Sequence, residues 1–441
     1  MPVPMKSNSA FALFVLLLSA ILDSGHASVI DGPVDVTHAP YNAKGDGTTD
    51  DTAAINGALG SGHTVYLPAT TACYLTKAPL VMNTPDQLMY GDGRTRSRIC
   101  VSSTFSGGVI KFTSGEPGPQ LRDLGVIFTQ PDSASRDSMT QYQPAIYAQN
   151  TPRFKIQRMR ISRAWDGIDM TGNSGGVMID DLEISAFDKG VWVDGSQDTV
   201  RLNQIHDWPF DLTTSQTRAF ADPSAVGFYI GRCDDCEIAN SVTLSGTGMK
   251  FFAGSGGAAP FALISNTGFD TYNGINISDG VIQMTSVYFT LIPTTPVQAI
   301  KMTGGSLNVS SFWALAGPTS LPMVEVSGNV SLNMSNGHIQ FADRDATFLS
   351  SHSKGEIGHI GLTNNYFETY PNVVHHNPLI SIGGVPGIRV MGLGNQVRDK
   401  GTGDGIFWRI DYDDFHRIID NSSVGWTNKF PTAVNGMYGR N

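Results

Sequence analysis

The chain is poor in charge, poor in cysteine and nearly devoid of long hydrophobic runs. Asp, Glu, Lys and Arg make up only 15% of its 441 residues. That is little for a helical bundle, whose exposed faces carry many ion pairs. Basic residues are outnumbered and the formal net charge is −10. General attraction to nucleic acid is therefore not a basis for function, and an anionic polymer would need a local basic groove. The four cysteines are Cys73, Cys100, Cys233 and Cys236. Cys73 and Cys100 suit one bridge near the start of the fold. Cys233-Asp-Asp-Cys236 suits two neighbouring thiols or a local disulfide, because no second pair completes a zinc site.

One apolar run stands out, AFALFVLLLSAIL from Ala10 to Leu22. It falls short of the ~20 residues that a bilayer span requires. Lys6 precedes it and Gly25-His26-Ala27 follows it, which is the pattern of a secretory leader over 1–27, cut after Ala27. The mature chain is expected to be secreted or periplasmic, soluble and free of the membrane.

Glycine is abundant, at 49 residues, and a repeat runs through the chain. FKIQRMRISRAWDGIDM (Phe154 to Met170) overlays on VMIDDLEISAFDKGVWV (Val177 to Val193). Ile161 and Ile184 are 23 residues apart, as are Gly167 and Gly190. A third copy begins at Val200, is interrupted at 211–226, and resumes at Gly227. Further copies follow, about ten between Pro144 and Asn395. Each reads as short segments alternating apolar and polar, the period of a strand with one face buried. No copy is long enough to bury its own apolar residues, so the copies stack. The pattern predicts an all-β, right-handed parallel β-helix, the hand following from the bias of parallel crossovers. Asn240, Asn266, Asn336, Asn364 and Asn395 are expected at one recurring bend, their amides stacked.

A solenoid needs a cap. Asp50 to Leu59 predicts a small capping helix, with Asp at its start and Ala53, Ala54, Ile55, Ala58 and Leu59 on one face. The expected organisation is a cap and first rungs over 28–143, a core over 144–395, and a C-terminal cap and tail over 396–441. The run YNAKGDGTTDDTAAINGAL (Tyr41 to Leu59), followed by VYLP, resembles the entry signature of the pectate-lyase-like β-helix superfamily. That group includes pectin-degrading hydrolases and lyases and tail-spike depolymerases. The resemblance implies a carbohydrate substrate, in a groove along one outward strand face.

The Gly-apolar-x-apolar segment supplies such a face. Its x position reads Tyr147, Asp169, Trp192, Tyr229, Lys250, Asn276, Lys301 and Glu325. Adjacent rings suit the C–H faces of sugars, and polar neighbours suit their hydroxyls. Tyr147, Trp192, Tyr229, Asn276 and Lys301 are therefore candidate binding residues. His206, in another outward column over Glu183 and Arg160, is a further one. Paired carboxylates are what glycoside cleavage requires, and Asp166, Asp169 and Asp194 lie at this segment. Elimination from a uronic acid needs a cation and a base instead. Arg232 and Lys250 are the candidates, with calcium as helper and Asp234 and Asp235 as possible oxygen ligands. The insertion 211–226 is expected to overhang the face near Trp192 and Tyr229. The pectin hydrolases of this fold carry Asn-Thr-Asp, an Asp pair, Gly-His-Gly and Arg-Ile-Lys in fixed order. That set is not found here. The reading is a secreted enzyme cleaving an extracellular polysaccharide, hydrolysis ahead of elimination. A non-catalytic carbohydrate-binding β-helix is the second class. The oligomeric state is not legible.

Overall fold

The computed structural model describes residues 32–290, 298–316, 321–341, 347–353, 358–369, 378–384, 388–398 and 406–410. It also describes the backbone of four later strands, His416–Ile419, Ser422–Ser423, Thr427–Lys429 and Met437–Tyr438. The leader expected at 1–27 lies outside these residues.

Alternation of apolar and polar residues gives each short strand one buried side, and every strand pairing is parallel. Three ladders result. In the first, the inward column runs Met89, Leu121, Ile156, Ile179, Leu202, Ile238 and Ile264. In the second it runs Val126, Ile161, Ile184, Asp207, Thr243, Phe269 and Phe289. In the third it runs Ile110, Ile146, Ile168, Val191, Phe228, Met249 and Ile275. These columns face one another inside the coil and, Asp207 and Thr243 apart, form its apolar core. Each fully buried aliphatic or aromatic side chain there contributes about 1.5–3 kcal/mol. The chain is thus a parallel β-helix.

The bend from first to second sheet has a fixed device. One residue per coil adopts the left-handed conformation: Arg158, Asp181, Gln204, Asn240, Asn266, Ser286, Ser311, Asn336 and Asn364 all have φ of 48–54°. Asn tolerates this region better than most residues, which is why the sequence shows it there. Its amides do bond along the stack, Asn240 Nδ2 donating to Asn203 Oδ1 at 2.8 Å and Asn266 Nδ2 to Asn240 Oδ1 at 3.3 Å. Asn395 differs from the expectation. Gly394 occupies the left-handed position, and Asn395 lies one residue further on, buried beside Asn365.

The cap also differs in detail. Helix α1 spans Thr52–Leu59 and buries Thr52, Ile55, Ala58 and Leu59. Asp51 precedes it but makes no side-chain capping bond. Its carboxylate turns back instead, accepting from the N–H of Lys44 at 2.6 Å and of Gly45 at 2.9 Å. The glycine-rich loop is therefore fastened by the residue expected to cap the helix. Both disulfides form, Cys73–Cys100 and Cys233–Cys236. The ladders do not stop at Asn395, where a cap and tail were expected. Ile406–Ile410 pairs with Ile380–Gly384, and His416–Ile419 with Ile388–Leu393.

Candidate functional site

The outward column of the third sheet holds Lys111, Tyr147, Asp169, Trp192, Tyr229, Lys250, Asn276, Lys301 and Glu325 in direct register. Adjacent strands lie ~4.8 Å apart, so the side chains form one stripe along the coil. Trp192 and Tyr229 meet edge to face with centroids 6.0 Å apart. Tyr229 has an ammonium on either side, Lys189 Nζ at 5.5 Å and Lys250 Nζ at 5.3 Å from its ring centre.

Asp169 is nearly buried, at 5% exposure. Its Oδ1 accepts from the N–H and hydroxyl of Thr171 at 3.0 and 2.8 Å. Its Oδ2 accepts from Gln149 Nε2 at 3.0 Å, and the Tyr147 hydroxyl donates to Gln149 Oε1. Three donors on one carboxylate hold it in one orientation.

Asp166 lies at the corner where the same strand enters the third sheet. Its Oδ1 accepts from the Lys189 N–H at 3.2 Å and lies 3.6 Å from Lys189 Nζ. Burial pushes the Asp166 carboxyl up to about 6. Lys189 opposes that rise, while the charges of Asp188 and Asp169 add to it. For Lys189, burial acts to lower the ammonium, yet Asp166 and Asp188 together lift it above its ordinary value. Asp188 is bonded to both Lys189 Nζ and Arg136 Nη2. Arg136 also donates to the Phe187 carbonyl at 2.6 Å and lies over the Trp165 ring. A carboxyl raised by burial, a firmly held carboxylate and two aromatic rings therefore lie close together along the third sheet.

Lys189, Asp188 and Arg136 were missing from the sequence reading. Lys189 had a signal: it stands opposite Asp166 in the 23-residue repeat, one place before each aligned glycine. Arg136 had none, since it enters from the irregular 129–145 segment.

The other candidates separate. Lys250, Asn276 and Lys301 continue the stripe, Lys301 Nζ lying 3.8 Å from Glu325. Asp194 is adjacent but braces loops, its Oδ1 accepting from the N–H groups of Arg232 at 3.0 Å and Ser255 at 2.7 Å. Arg232 lies in the turn after Ile230 and pairs with Asp234 at 3.2 Å, so it is not a partner of Lys250 in the column. His206 stands on the second sheet over Glu183 and Arg160, packed against Trp208 and Phe210. Burial lowers its pKa, against the pull of Glu183. It does not share a face with the stripe.

The insertion at 211–226 folds back on the coil. It carries helix α2, Thr214–Phe220, closed by a Thr213–Gln216 capping box. Gln216 Nε2 donates to the Pro131 carbonyl at 2.9 Å, and Asp211 accepts from Ser162 at 2.7 Å. These bonds seat the insertion on the 129–145 segment and the second sheet. Arg136, on that 129–145 segment, reaches Asp188 beside Lys189. Asp234 pairs with Arg232 and Asp235 accepts from Thr199. Among the described residues no three acidic, His or Cys side chains gather as metal ligands.

Residues 36–219 match the family model described as rhamnogalacturonase A/epimerase, pectate lyase-like. No curated protein matches the chain. Among solved structures, the catalytic unit of a GH87 alpha-1,3-glucanase from Streptomyces thermodiastaticus strain HF3-3 superposes with a TM-score of 0.52 at 16% identity, covering 85% of this chain and 69% of its own. The N-terminal fragment of bacteriophage phi29 gene product 12 gives 0.55 at 14% identity, covering 95% and 74%. Tailspike protein 3 of bacteriophage CBA120 gives 0.52 at 11% identity, covering 98% and 70%. Identities at this level establish a shared fold. With the parallel ladders, they support a parallel β-helix fold.

Proposed function

We propose that the chain is an exported carbohydrate-active enzyme that lays a polysaccharide along the third-sheet stripe and hydrolyses it at Asp166 and Asp169. The observation carrying this reading is the Asp166 carboxyl, raised to about 6 by burial beside a hydrogen-bonded second carboxylate and the Trp192–Tyr229 pair. A carboxyl with that affinity holds a proton in mildly acidic solution and can release it to a departing glycosidic oxygen. Asp169 supplies the carboxylate that activates water. The two residues are three apart on one strand, so their Cα atoms lie no more than about 10 Å apart at ~3.3 Å per residue. Carboxyl groups with room for a water between them would invert configuration at the anomeric carbon. Trp192 and Tyr229 would take the sugar faces.

The lysines of the stripe favour a second reading, elimination from a uronic acid polymer. Lys111, Lys250 and Lys301 in the column, with Lys189 at its edge, put ammonium groups on an otherwise acidic protein, suited to sugar carboxylates. One experiment separates the readings. The protein is incubated with neutral glucans and with polyuronates, and reducing ends and the absorbance of unsaturated uronate are both followed. Hydrolysis raises the first alone; elimination raises both. Binding with neither signal, unaffected by an Asp166→Asn, Asp169→Asn double substitution, would leave a carbohydrate-binding module and end the enzyme reading. Export is tested by the N-terminus of the protein recovered outside the cell, expected at Ser28.

A further inference from the structure

A second row of rings lies on a different sheet. Tyr288, Trp313, His338 and Tyr366 occupy successive outward positions of the second ladder. Tyr288 is 37% exposed, its ring lying over Gly268, where a side chain would collide with it. His338 and Tyr366 have ring centres 5.2 Å apart. A consecutive row of part-exposed rings on a sheet facing solvent is a feature that monomeric surfaces avoid without a ligand.

The rings have a polar edge. Trp313 Nε1 donates to Gln340 Oε1 at 3.2 Å, Gln340 Nε2 donates to Glu368 Oε2 at 3.0 Å, and His338 Nε2 lies 3.1 Å from the same oxygen. These bonds hold Trp313 and His338 in place before any ligand arrives, so little rotamer freedom is lost there on binding. Rings beside fixed amide and carboxylate groups match a ligand that is apolar on its faces and hydroxylated at its rim. The row repeats at ~4.8 Å, close to the length of one pyranose in an extended chain. Unlike the third-sheet stripe, it contains no lysine, and its one basic group, His338, is partnered by Glu368.

We propose that this row is a second carbohydrate-binding surface, which holds a neutral glycan chain along the coil axis, apart from the site of cleavage. It does not depend on the cleavage reading, because the two faces share no residue. The test is affinity electrophoresis of the full chain through gels containing soluble starch, barley β-glucan or polygalacturonate. Retardation by at least one neutral polymer is expected. Trp313→Ala and Tyr288→Ala should each weaken it about tenfold, the usual loss for a central aromatic contact. Tyr288 is exposed enough that its removal leaves the fold intact, so this variant decides the matter if Trp313→Ala is unstable. Leu263→Ala, an exposed position on the first sheet, should leave the retardation unchanged. The proposal is overturned if neither neutral polymer retards the protein, or if Tyr288→Ala leaves the retardation at its wild-type strength. It is equally overturned if size-exclusion chromatography shows an oligomer that Tyr288→Ala dissociates, because the row would then be a self-association surface.

Discussion

Replacing Lys189 by methionine should shift the alkaline limb of activity upward rather than simply lower the rate. The Lys189 ammonium is 3.6 Å from Asp166 Oδ1. A unit charge at that distance is worth about 4–5 kcal/mol at an effective dielectric of about 20. That figure is an upper bound here. Lys189 is shared with Asp188, and the side chains of Asp166 and Lys189 keep 17% and 19% of their exposure. A third of it, about 1.5 kcal/mol, corresponds to about one pH unit. Lys189 holds the Asp166 proton affinity down, so its removal raises that affinity further. In the wild type, kcat/KM should fall as pH rises through about 6, where Asp166 loses its proton. In Lys189→Met the fall should come near 7, whatever happens to the plateau. The assay is kcat/KM against pH with a cleaved polysaccharide, because that parameter reports the free protein. Asp166→Asn should cost roughly 10²–10⁴-fold in kcat, as loss of a general acid does. A limb that stays in place or moves down in Lys189→Met, or substantial activity in Asp166→Asn, would refute the assignment of Asp166 as acid.

Asp207 predicts a stability effect inside the coil. It is fully buried, accepts from the Thr243 hydroxyl at 2.7 Å and the Ser245 N–H at 3.2 Å, and burial raises it from 3.8 to about 6. A carboxyl with a raised folded-state pKa stabilises the fold below pH 4. That contribution is lost as pH climbs to about 6, roughly 3 kcal/mol in all at 1.36 kcal/mol per unit. Asp207→Asn should flatten the dependence of the urea midpoint between pH 4 and 7; an unchanged slope would rule out Asp207 as its source. Asn365→Ala removes the bonds to the Gly337 N–H, the Met334 carbonyl and Asn395, and should cost about 1–3 kcal/mol in chemical denaturation. A loss under half a kilocalorie would mean that water replaces the amide there. Trp192→Ala should raise KM for the polysaccharide about tenfold with a smaller change in kcat; an equal loss in kcat alone would place the ring at the reacting bond instead.

Much of the fold was legible because the repeat is local. Alternation along seven or eight residues states which side chains face in, and the 23-residue offset states which of them stack. From those two periods the column Tyr147, Asp169, Trp192, Tyr229, Lys250 follows without coordinates. Lys189 was equally legible, opposite Asp166 and one place before the aligned glycine. The recurring asparagines pointed to the left-handed bend, yet Arg158, Asp181, Gln204 and Ser286 adopt the same conformation. A stacked coil imposes that backbone on whatever residue stands there, so composition alone under-reports it.

What the residues determined by themselves was the coil and its stripe, since both arise from short-range periodicity repeated until neighbours have no other place to pack. What only the tertiary structure decided was the chemical state of individual groups. Asp166 and Asp194 look alike as letters beside a strand. One is buried against a lysine and its carboxyl is pushed up to about 6; the other turns its oxygen to two loop N–H groups. Arg136 joins Asp188 from 52 residues away through a segment with no period to follow. Burial and charge proximity depend on where irregular loops come to rest, and no local pattern in the chain encodes that.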